Sequence, residues 1–496
     1  MIKYRVNIGL EIHAQLASRS KLFSSAPIIE DAPPNTCVDL FDCATPGTLP
    51  LLNKECVHMA LKAAKLLNCH IPQYSRFDRK HYFYPDMPMG YQITQQLKPI
   101  AKDGFFTFYD QLSNSKKEYF TSSVPIKQLQ LEQDSGKTLQ SPGKCMIDLN
   151  RAGVGLIEIV TEPTLTSSTS AVTFLEQLRL FLIHNNITKG EMHKGHLRVD
   201  ANISLIPSDA SPHLMGERSE VKNINSFKDI GNAIDFEIAR HEGILRAGGV
   251  VRYETRTVLG DGRTVSLRDK EGETVDYRFT AEPNLPLLQI ESAWLDKIDK
   301  EIKLNDLAHI VYIEKYGLRP GDSLQLTANA HSKKFMDIAL PIKETSPDHF
   351  LSWYNELRLA CGKVKNKKFP PEDRKEIEEW VRIVNLEGTH KITKLTAIDI
   401  IKKVLEEECN AVSTSVPSSF ADDYIQKKSL WRISDKVRIS EYVSKNCKSH
   451  PELLEKAKTT TKAFNKLRNF ILTDSNKTIA LEDIEKALKL YLETPN

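Results

Sequence analysis

The chain has 496 residues, 40% of them hydrophobic and 27% charged, and its net charge of only +3 excludes a globally basic field. No apolar run approaches the roughly 18 residues of a membrane span, so no membrane insertion is predicted. The eight cysteines include no C-x-x-C pair, which argues against zinc ribbons and disulfide scaffolds and favours a reducing compartment.

A chain of this length exceeds what one hydrophobic core serves, so several domains are expected. Residues 1–292 mix alternating strands, Gly/Pro turns and a few helices, whereas residues 293–412 are charged and helical. The polar stretch NAVSTSVPSS predicts a linker into a helical tail, 413–496, whose excess of Lys and Arg fits nucleic-acid contact or a solvated surface equally. The predicted helices of the first region are Asn53–Asn68, Ser170–Asn185 and Ser226–Ala247. The first has an apolar stripe from Val57 to Leu67, and Asn53 is its predicted N-cap.

Several predicted strands sort polar side chains onto one face by period-two alternation. In RVNIGLEIHAQL, Glu11 and His13 share the face opposite the apolar residues. Glu132, Glu158 and Asp200 occupy comparable positions in later strands. A single carboxylate on such a face is usually just solvated, but Glu158 lies in a run whose neighbours imply burial on both faces. If the five residues converge, their oxygen and imidazole donors suit a Mg²⁺ site.

The stretch FDRKHYFYPDMPMGYQITQQ, residues 77–96, combines aromatic residues, cations and two prolines. Pro85 and Pro88 exclude a helix and predict a loop or irregular extended structure. The sequence has no G-x-x-x-x-G-K-[ST] motif, which excludes a P-loop NTPase.

Seven motifs follow one another in a fixed order: GLEIHAQL with SKLFS, ATPGTLPLLN, FDRKHYFYPDMPMGYQITQ, DLNRAGVGLIEIVTEP, HLRVDANIS, EVKNINSF and KEGETVDYRFTAEPNLP. Together they resemble the GatB family, the B subunits of the glutamyl/aspartyl-tRNA amidotransferases. The resemblance is dense over about residues 4–290. It implies an α+β fold with an N-terminal cradle domain, a curved antiparallel sheet with flanking helices, followed by an all-α helical domain and a helical tail domain.

The resemblance also implies an enzyme, an ATP-dependent carbon–nitrogen ligase with glutamine as amido donor. In this family, misacylated Glu-tRNA(Gln) is bound by the B subunit, which phosphorylates the Glu carboxylate with ATP and Mg²⁺ and transamidates it to Gln-tRNA(Gln). The cradle domain would carry this chemistry and the tail would bind tRNA. Ammonia comes from a partner amidase, the A subunit of the complex, which a small third subunit, C-like or a fungal replacement, completes. Whether Asp-tRNA(Asn) is also a substrate stays open.

The family's site residues carry over onto matching positions of this sequence. Phosphorylating a carboxylate needs metal-bridged phosphates and cationic stabilisation. The catalytic residues implied are Lys80, Glu11 and Glu158. The metal ligands implied are Glu11, His13, Glu132, Glu158 and Asp200. The substrate- and nucleotide-binding residues implied are Arg79, Tyr82, Tyr84, Tyr91 and Arg198, although ordinary packing explains each tyrosine equally well.

One segment departs from the family pattern. The family's HxEED reads Gln130-Leu131-Glu132-Gln133-Asp134, so a histidine and a glutamate become glutamines. An amide offers Mg²⁺ only an uncharged carbonyl, which weakens the expectation of a second metal ion. Such departures suggest a divergent organellar branch and predict the mitochondrial matrix, with a bacterial cytoplasm as the alternative. No transit peptide is visible, which a processed chain would explain.

Two other functions stay open on the sequence. A tRNA-binding scaffold subunit with a decayed kinase site is suggested by Gln130 and Gln133. A stand-alone metal-dependent hydrolase would use the same carboxylates without any partner chain.

Overall fold

The structure is a computed structural model that describes residues 4–111, 119–210, 216–269, 278–304, 308–363, 368–410 and 420–493. The chain divides into two compact units, Met1–Leu307 and Ala308–Asn496. The predicted linker lies outside the described residues from position 411 to 419. The three-domain division therefore stays a prediction.

The first unit combines strands and helices. Its strands are β1 (Tyr4–Gln15), β2 (Tyr74–His81), β3 (Tyr91–Lys98), β4 (Ala101–Gln111), β5 (Tyr119–Gln133), β6 (Lys137–Ser141), β7 (Lys144–Asp148), β8 (Gly155–Thr161), β9 (Leu197–Pro207), β10 (Arg218–Ile224), β11 (Glu254–Val258), β12 (Thr264–Asp269), β13 (Phe279–Ala281) and β14 (Leu288–Gln289). Its helices are α1 (Lys54–Leu66), α2 (Ser168–His184), α3 (Phe227–Arg246) and α4 (Ser292–Leu304).

The main sheet has eight strands in the order β12-β11-β10-β9-β1-β8-β5-β4. Its neighbours pair antiparallel, except that β10 and β11 run parallel. A smaller sheet joins β2 to β3, β13 and β14. The predicted α+β class is confirmed, and the one parallel pair is a departure from the antiparallel sheet that was expected.

Alternation along β1 divides the main sheet into an apolar and a polar face. Ile8, Leu10 and Ile12 are fully buried in the core. Glu11 and His13 project to the other side, where the register pairs Glu11 with Asp200 on β9 and His13 with Glu158 on β8. Because directly paired residues project to the same face, the polar residues of adjacent strands are brought together.

The three predicted helices are confirmed, with ends that differ by one or two residues. The side chain of Asn53 caps α1 by accepting a hydrogen bond from the Glu55 backbone N–H at 2.8 Å. The predicted apolar stripe of α1, from Val57 to Leu67, is buried in the core. Residues 293–304, which the sequence assigned to the helical region, fall largely in α4 of the first unit.

The stretch at residues 77–96 is more regular than predicted. It contributes most of β2 and all but the end of β3, which pair antiparallel, and only residues 82–90 form a connection. Pro85 and Pro88 both lie in that connection, so neither strand loses a backbone donor. The expectation of irregular structure holds for the connection and is wrong for the flanking residues.

The second unit is helical. Its helices are α5 (Ala308–Glu314), α6 (Pro320–Ala328), α7 (Ala330–Ala339), α8 (Pro347–Cys361), α9 (Arg374–Gly388), α10 (Lys394–Asn410), α11 (Phe420–Lys428), α12 (Lys436–Ser449), α13 (Pro451–Ala457), α14 (Thr461–Asp474) and α15 (Leu481–Glu493). It contains two hydrophobic clusters, one around Trp353 and Trp380 and one around Leu467 and Ile484. Among the described residues, no helix combines the length and apolar character needed to cross a bilayer.

Candidate active site

The polar face of the main sheet borders a cavity of about 1630 Å³. This volume exceeds the roughly 300–1,000 Å³ of a typical small-ligand site, so the cavity has room for more than one ligand. Its lining comes from β1, β5, β8, β9 and β10, together with residues of β2 and β13. Its charged lining includes Glu11, Lys80, Glu132, Glu158, Arg218 and Glu220.

The first cluster of candidate ligands consists of His13, Glu132 and Glu158, whose donor atoms lie within 4.8 Å of one another. The Nε2 atom of His13 is 3.4 Å from Glu132 Oε1 and 3.6 Å from Glu158 Oε1. These residues belong to β1, β5 and β8, which are consecutive in the sheet. The cluster is therefore built by strand register.

Burial dominates the electrostatics of the first cluster. Burial, followed by the charge of Glu132, raises the pKa of Glu158 well above its ordinary value. Burial alone would lower the pKa of His13. The negative charges of Glu132, Glu158 and Asp200 together outweigh burial, so the pKa of His13 is raised. The cluster holds negative charge that a proton or a cation must compensate.

Gln130 supports the first cluster. It faces Glu158 in the strand register, and its side-chain amide donates a hydrogen bond to Glu158 Oε2. Gln128 in turn donates to Gln130 Oε1 at 3.3 Å. Gln133 lies one position beyond Glu132, on the other face of β5, and its backbone carbonyl accepts from Gln92. The two glutamines thus have different surroundings.

The second cluster consists of Glu11, Asp200 and Glu220, again with donor atoms within 4.8 Å of one another. Lys222 Nζ lies 2.9 Å from Glu220 Oε1 and 3.7 Å from Asp200 Oδ2. Asn202 donates to Glu11 Oε1 at 3.0 Å. Burial acts to lower the pKa of Lys222, but Glu220 and Asp200 outweigh it and raise the pKa.

Glu220 was not among the ligands predicted from the sequence. The motif EVKNINSF could have indicated it, because Glu220 alternates along β10 with the buried residues Ser219 and Val221 and so projects to the opposite face. The five predicted ligands consequently divide between two clusters instead of forming one. A second group of carboxylates is present, and it comes from β1, β9 and β10, so the change at Gln133 does not remove it.

Lys80 and Arg79 separate because neighbouring residues of a strand project to opposite faces. Lys80 borders the cavity, with its Nζ 5.9 Å from the centre of the Phe279 ring. Among the residues the structure describes, no carboxylate lies within ion-pairing distance of Lys80. Arg79 instead donates to both oxygens of Glu282, at 2.7 and 2.9 Å, and its guanidinium lies 4.2 Å from the Tyr91 ring centre.

The other predicted binding residues do not line the described part of the cavity. Arg198 donates to Asp134 at 2.9 Å. The hydroxyl of Tyr82 donates to Gln92 at 3.3 Å, and Tyr84, which is 64% exposed, meets Tyr82 edge to face. The aromatic rings that do line the described part of the cavity belong to two residues outside the prediction, Tyr253 and Phe279.

Comparison with known proteins assigns the family. Residues 6–296 match the family model described as the GatB/GatE catalytic domain. The chain belongs to the GatB family. It is 37% identical over 466 residues to the B subunit of the mitochondrial glutamyl-tRNA(Gln) amidotransferase of Danio rerio, an alignment that covers 90% of this chain and 81% of that protein.

Two further relatives extend the comparison. The B subunit of the human mitochondrial glutamyl-tRNA(Gln) amidotransferase is 34% identical, covering 98% of this chain and 89% of that protein. The B subunit of the aspartyl/glutamyl-tRNA(Asn/Gln) amidotransferase of Rickettsia typhi is 36% identical, covering 90% of this chain and 89% of that protein. The predicted identity, a B subunit of a tRNA-dependent amidotransferase and thus part of a ligase complex, is confirmed.

Both clusters of this GatB-family chain fit a divalent cation. Carboxylate oxygens, with one imidazole in the first cluster, are donors that Mg²⁺ and Mn²⁺ accept. Close, buried carboxylates repel one another unless a cation or proton intervenes. The metal ligands predicted from the sequence stay a prediction, and Glu220 joins them as a candidate.

Proposed function

We propose that the chain is the kinase and transamidase subunit of a glutamyl-tRNA(Gln) amidotransferase. The γ-phosphoryl group of ATP is transferred to the side-chain carboxylate of Glu on tRNA(Gln), and ADP leaves. Ammonia then attacks the acyl phosphate, phosphate departs, and the amide of Gln-tRNA(Gln) remains. The observation that supports this most directly is the pair of carboxylate clusters in one cavity beside a lysine that lacks a carboxylate partner in the described chain.

The residues of the cavity fit distinct parts of this chemistry. His13, Glu132 and Glu158, and likewise the carboxylates of the second cluster, would hold Mg²⁺, which would supply positive charge for the phosphates. Lys80 is available to stabilise the oxygens of the transferred phosphoryl group, since no described carboxylate competes for it. Arg79 is not, because Glu282 holds it with two hydrogen bonds; its role is to fix β2 and thereby Lys80.

The scaffold alternative has less support. A decayed kinase site should lack part of its donor set, yet each cluster in this chain retains three ligand groups. Gln130 donates to Glu158 and so holds a ligand in place. A stand-alone hydrolase is also less favoured, since the relatives are named as subunits.

The proposal includes partners and a location. Subunit names in the relatives imply a complex, whose other members we propose to be an amidase (the A subunit), a small third subunit, C-like or a fungal replacement, and Glu-tRNA(Gln). Relatives from Danio rerio, Homo sapiens and Aedes aegypti are named as mitochondrial, which supports the mitochondrial matrix. Affinity capture from purified organelles should recover an amidase with the chain, and recovery of the chain alone from every fraction would contradict this part.

We also propose that the helical tail binds the body of tRNA. Lys462 and Lys466 are exposed one turn apart on α14. Reversing both charges to Glu should weaken tRNA binding and lower its salt dependence, because fewer phosphate counterions are released. An unchanged salt slope would show that these lysines only solvate the helix.

The decisive test of the main proposal uses the assembled complex. Glu11→Gln and Asp200→Asn should each abolish ATP-dependent Gln-tRNA formation while glutamine hydrolysis by the partner persists. Glu176→Gln, an exposed carboxylate on α2, serves as the matched control and should retain activity. Normal Gln-tRNA formation by Glu11→Gln and Asp200→Asn would refute the proposed function.

A further inference from the structure

A network of largely buried charges lies behind the second cluster, on the opposite face of β10 and β11. Its acidic members are Glu237 of α3 and Glu254 of β11, and its basic members are Arg240 of α3 and Arg256 of β11. Two carboxylates face two guanidinium groups, so the network carries no net charge. None of the four residues lines the described part of the cavity.

Glu237, whose side chain is fully buried, is the centre of this network. Arg240 donates to Glu237 Oε2 at 2.7 Å, and Arg256 Nε lies 2.9 Å from Glu237 Oε1. Thr264 of β12 donates to the same carboxylate. Burial acts to raise the pKa of Glu237, but hydrogen bonds from His241 and the donors above outweigh it and lower the pKa to about 2. The carboxylate is therefore ionised at neutral pH.

The two arginines connect α3 to three strands of the sheet. Arg240 also donates to Ser219 Oγ of β10 at 2.7 Å and lies 2.8 Å from Glu254 Oε1 of β11. Arg256 donates to Glu254 Oε2 at 2.8 Å and to the Thr264 backbone carbonyl of β12 at 2.9 Å. One connected set of hydrogen bonds therefore fixes β10, β11 and β12 against one helix.

The backbone pairing of these strands is irregular. The pairing of β10 with β9 shifts register between Val221 and Ile224, and the pairing of β11 with β12 shifts between Thr255 and Arg256. Such shifts interrupt the ladder of hydrogen bonds and bend the strand. Parallel pairing, which joins β10 to β11, is also slightly less stable per residue than antiparallel pairing. Backbone pairing thus fixes β10 and β11 less firmly than a regular antiparallel ladder would, which leaves a role for the side-chain network.

Strand alternation connects this network to the second cluster. Ser219 contacts α3, so the next residue, Glu220, projects to the cavity. On β11, Thr255 lies between Glu254 and Arg256, and its hydroxyl donates to Glu220 Oε2 at 3.4 Å. The network therefore holds the backbone next to Glu220 and on both sides of the threonine that contacts it.

We propose that Glu237, Arg240 and Arg256 are positioning residues for metal binding at the second cluster. They hold β10 and β11 so that Glu220 stays close to the other two carboxylates of that cluster. This inference rests on the proposed function, because it takes the second cluster to bind a divalent cation. Hydrophobic residues of similar volume often stabilise a fold as well as buried ion pairs do, so stability alone does not account for four charges here.

Mn²⁺ titration of the full chain in its complex tests this inference, with each cluster measured alone. In a Glu158→Gln background the remaining ion reports the second cluster, and in an Asp200→Asn background it reports the first. Adding Glu237→Gln should weaken Mn²⁺ binding at the second cluster about 10-fold, as substitutions behind metal ligands do, and leave the first cluster unchanged.

Ile234→Ala is the matched control, because Ile234 is a fully buried apolar residue of the same helix. It should lower the unfolding temperature through lost packing and leave both Mn²⁺ affinities unchanged. If Glu237→Gln does not fold, Arg256→Lys gives a milder test. It keeps the charge but loses the planar fork that contacts β11 and β12 together, so it should also weaken the second cluster selectively.

The inference is overturned if the folded variants bind Mn²⁺ at the second cluster as tightly as their background does. It is also overturned if Ile234→Ala weakens that cluster equally, since the affinity would then follow stability. If the Glu158→Gln background itself binds no Mn²⁺, the second metal site of the proposed function fails and the inference fails with it. The two failures are therefore distinguishable.

Discussion

The two carboxylate clusters of the cavity have the same number of ligands but different surroundings. In the first, His13, Glu132 and Glu158 face one another, and a neutral amide, Gln130, donates to Glu158, the carboxyl whose pKa burial raises. In the second, Lys222 already forms ion pairs with Asp200 and Glu220. The first cluster therefore depends more strongly on an added cation, whereas the second is partly neutralised by its own lysine.

The largest effects should come from removing one ligand of each cluster. Glu158→Gln and Asp200→Asn should each lower Gln-tRNA formation by about 100-fold or more, because phosphoryl transfer relies on electrostatic stabilisation. Titration with Mn²⁺ should show two bound ions in the wild type and one in each variant. If either substitution eliminates both ions, the clusters form a single site and the comparison fails.

Lys80 and Lys222 should respond differently to the same substitution. Lys80→Met should lower the rate by about 100-fold with an unchanged unfolding temperature, because no described carboxylate pairs with Lys80 and we propose that it stabilises the transferred phosphoryl group. Lys222→Met should reduce the free energy of unfolding by about 1 kcal/mol, since two carboxylates lose their partner. The turnover rate and the unfolding temperature of both variants test this difference. A lower unfolding temperature for Lys80→Met would show that Lys80 has a structural role.

Gln130 and Gln133 provide a smaller and more local test. Gln130→Met keeps the volume but removes the donor to Glu158, so Mn²⁺ affinity at the first cluster should fall about 10-fold. Gln133→Met should stay close to wild type, because its side chain projects away from Glu132. Equal losses in the two variants would show that Gln130 acts through packing alone.

The smallest expected effect is on the pH dependence of stability without metal. The pKa of His13 is raised above 6.5 in the fold, so its contribution is complete below that pH and is lost as the pH rises. The pKa of Glu158 is also raised, to about 8, so between pH 4.5 and about 8 the unfolded chain ionises this carboxyl while the fold keeps it protonated, and stability is lost over that range. The unfolding temperature should therefore fall as the pH rises from about 4.5 to 8, by about 2–4 °C per kcal/mol.

The matched variants separate the clusters in this experiment. Glu158→Gln should flatten the decline, because it removes the carboxyl that resists ionisation, and Asp200→Asn should leave the decline in place. Added Mg²⁺ should restore stability at high pH in the wild type. A decline that persists unchanged in Glu158→Gln would assign the effect to groups elsewhere in the chain.

Local rules predicted a good part of this molecule. The apolar stripe of α1 follows from helical periodicity, and the cap at Asn53 follows from the preference for asparagine at that position. Both are present. Alternation in β1 correctly set Ile8, Leu10 and Ile12 against Glu11 and His13. The prediction was weaker at residues 77–96. The two prolines led to a prediction of irregular structure for the whole stretch, although they lie only in the connection between β2 and β3. Composition also placed the start of the helical region at residue 293, whereas the first compact unit includes α4 and ends at Leu307.

The sequence by itself determined the family, the α+β class and most of the donor residues, because ordered motifs and period-two alternation are properties of the linear chain. It could not determine which donors meet, since that depends on strand order and register. Register placed His13 opposite Glu158 and Glu11 opposite Asp200, and strand order added Glu220 from a strand far along the chain. Tertiary structure thus converted one predicted group of ligands into two clusters.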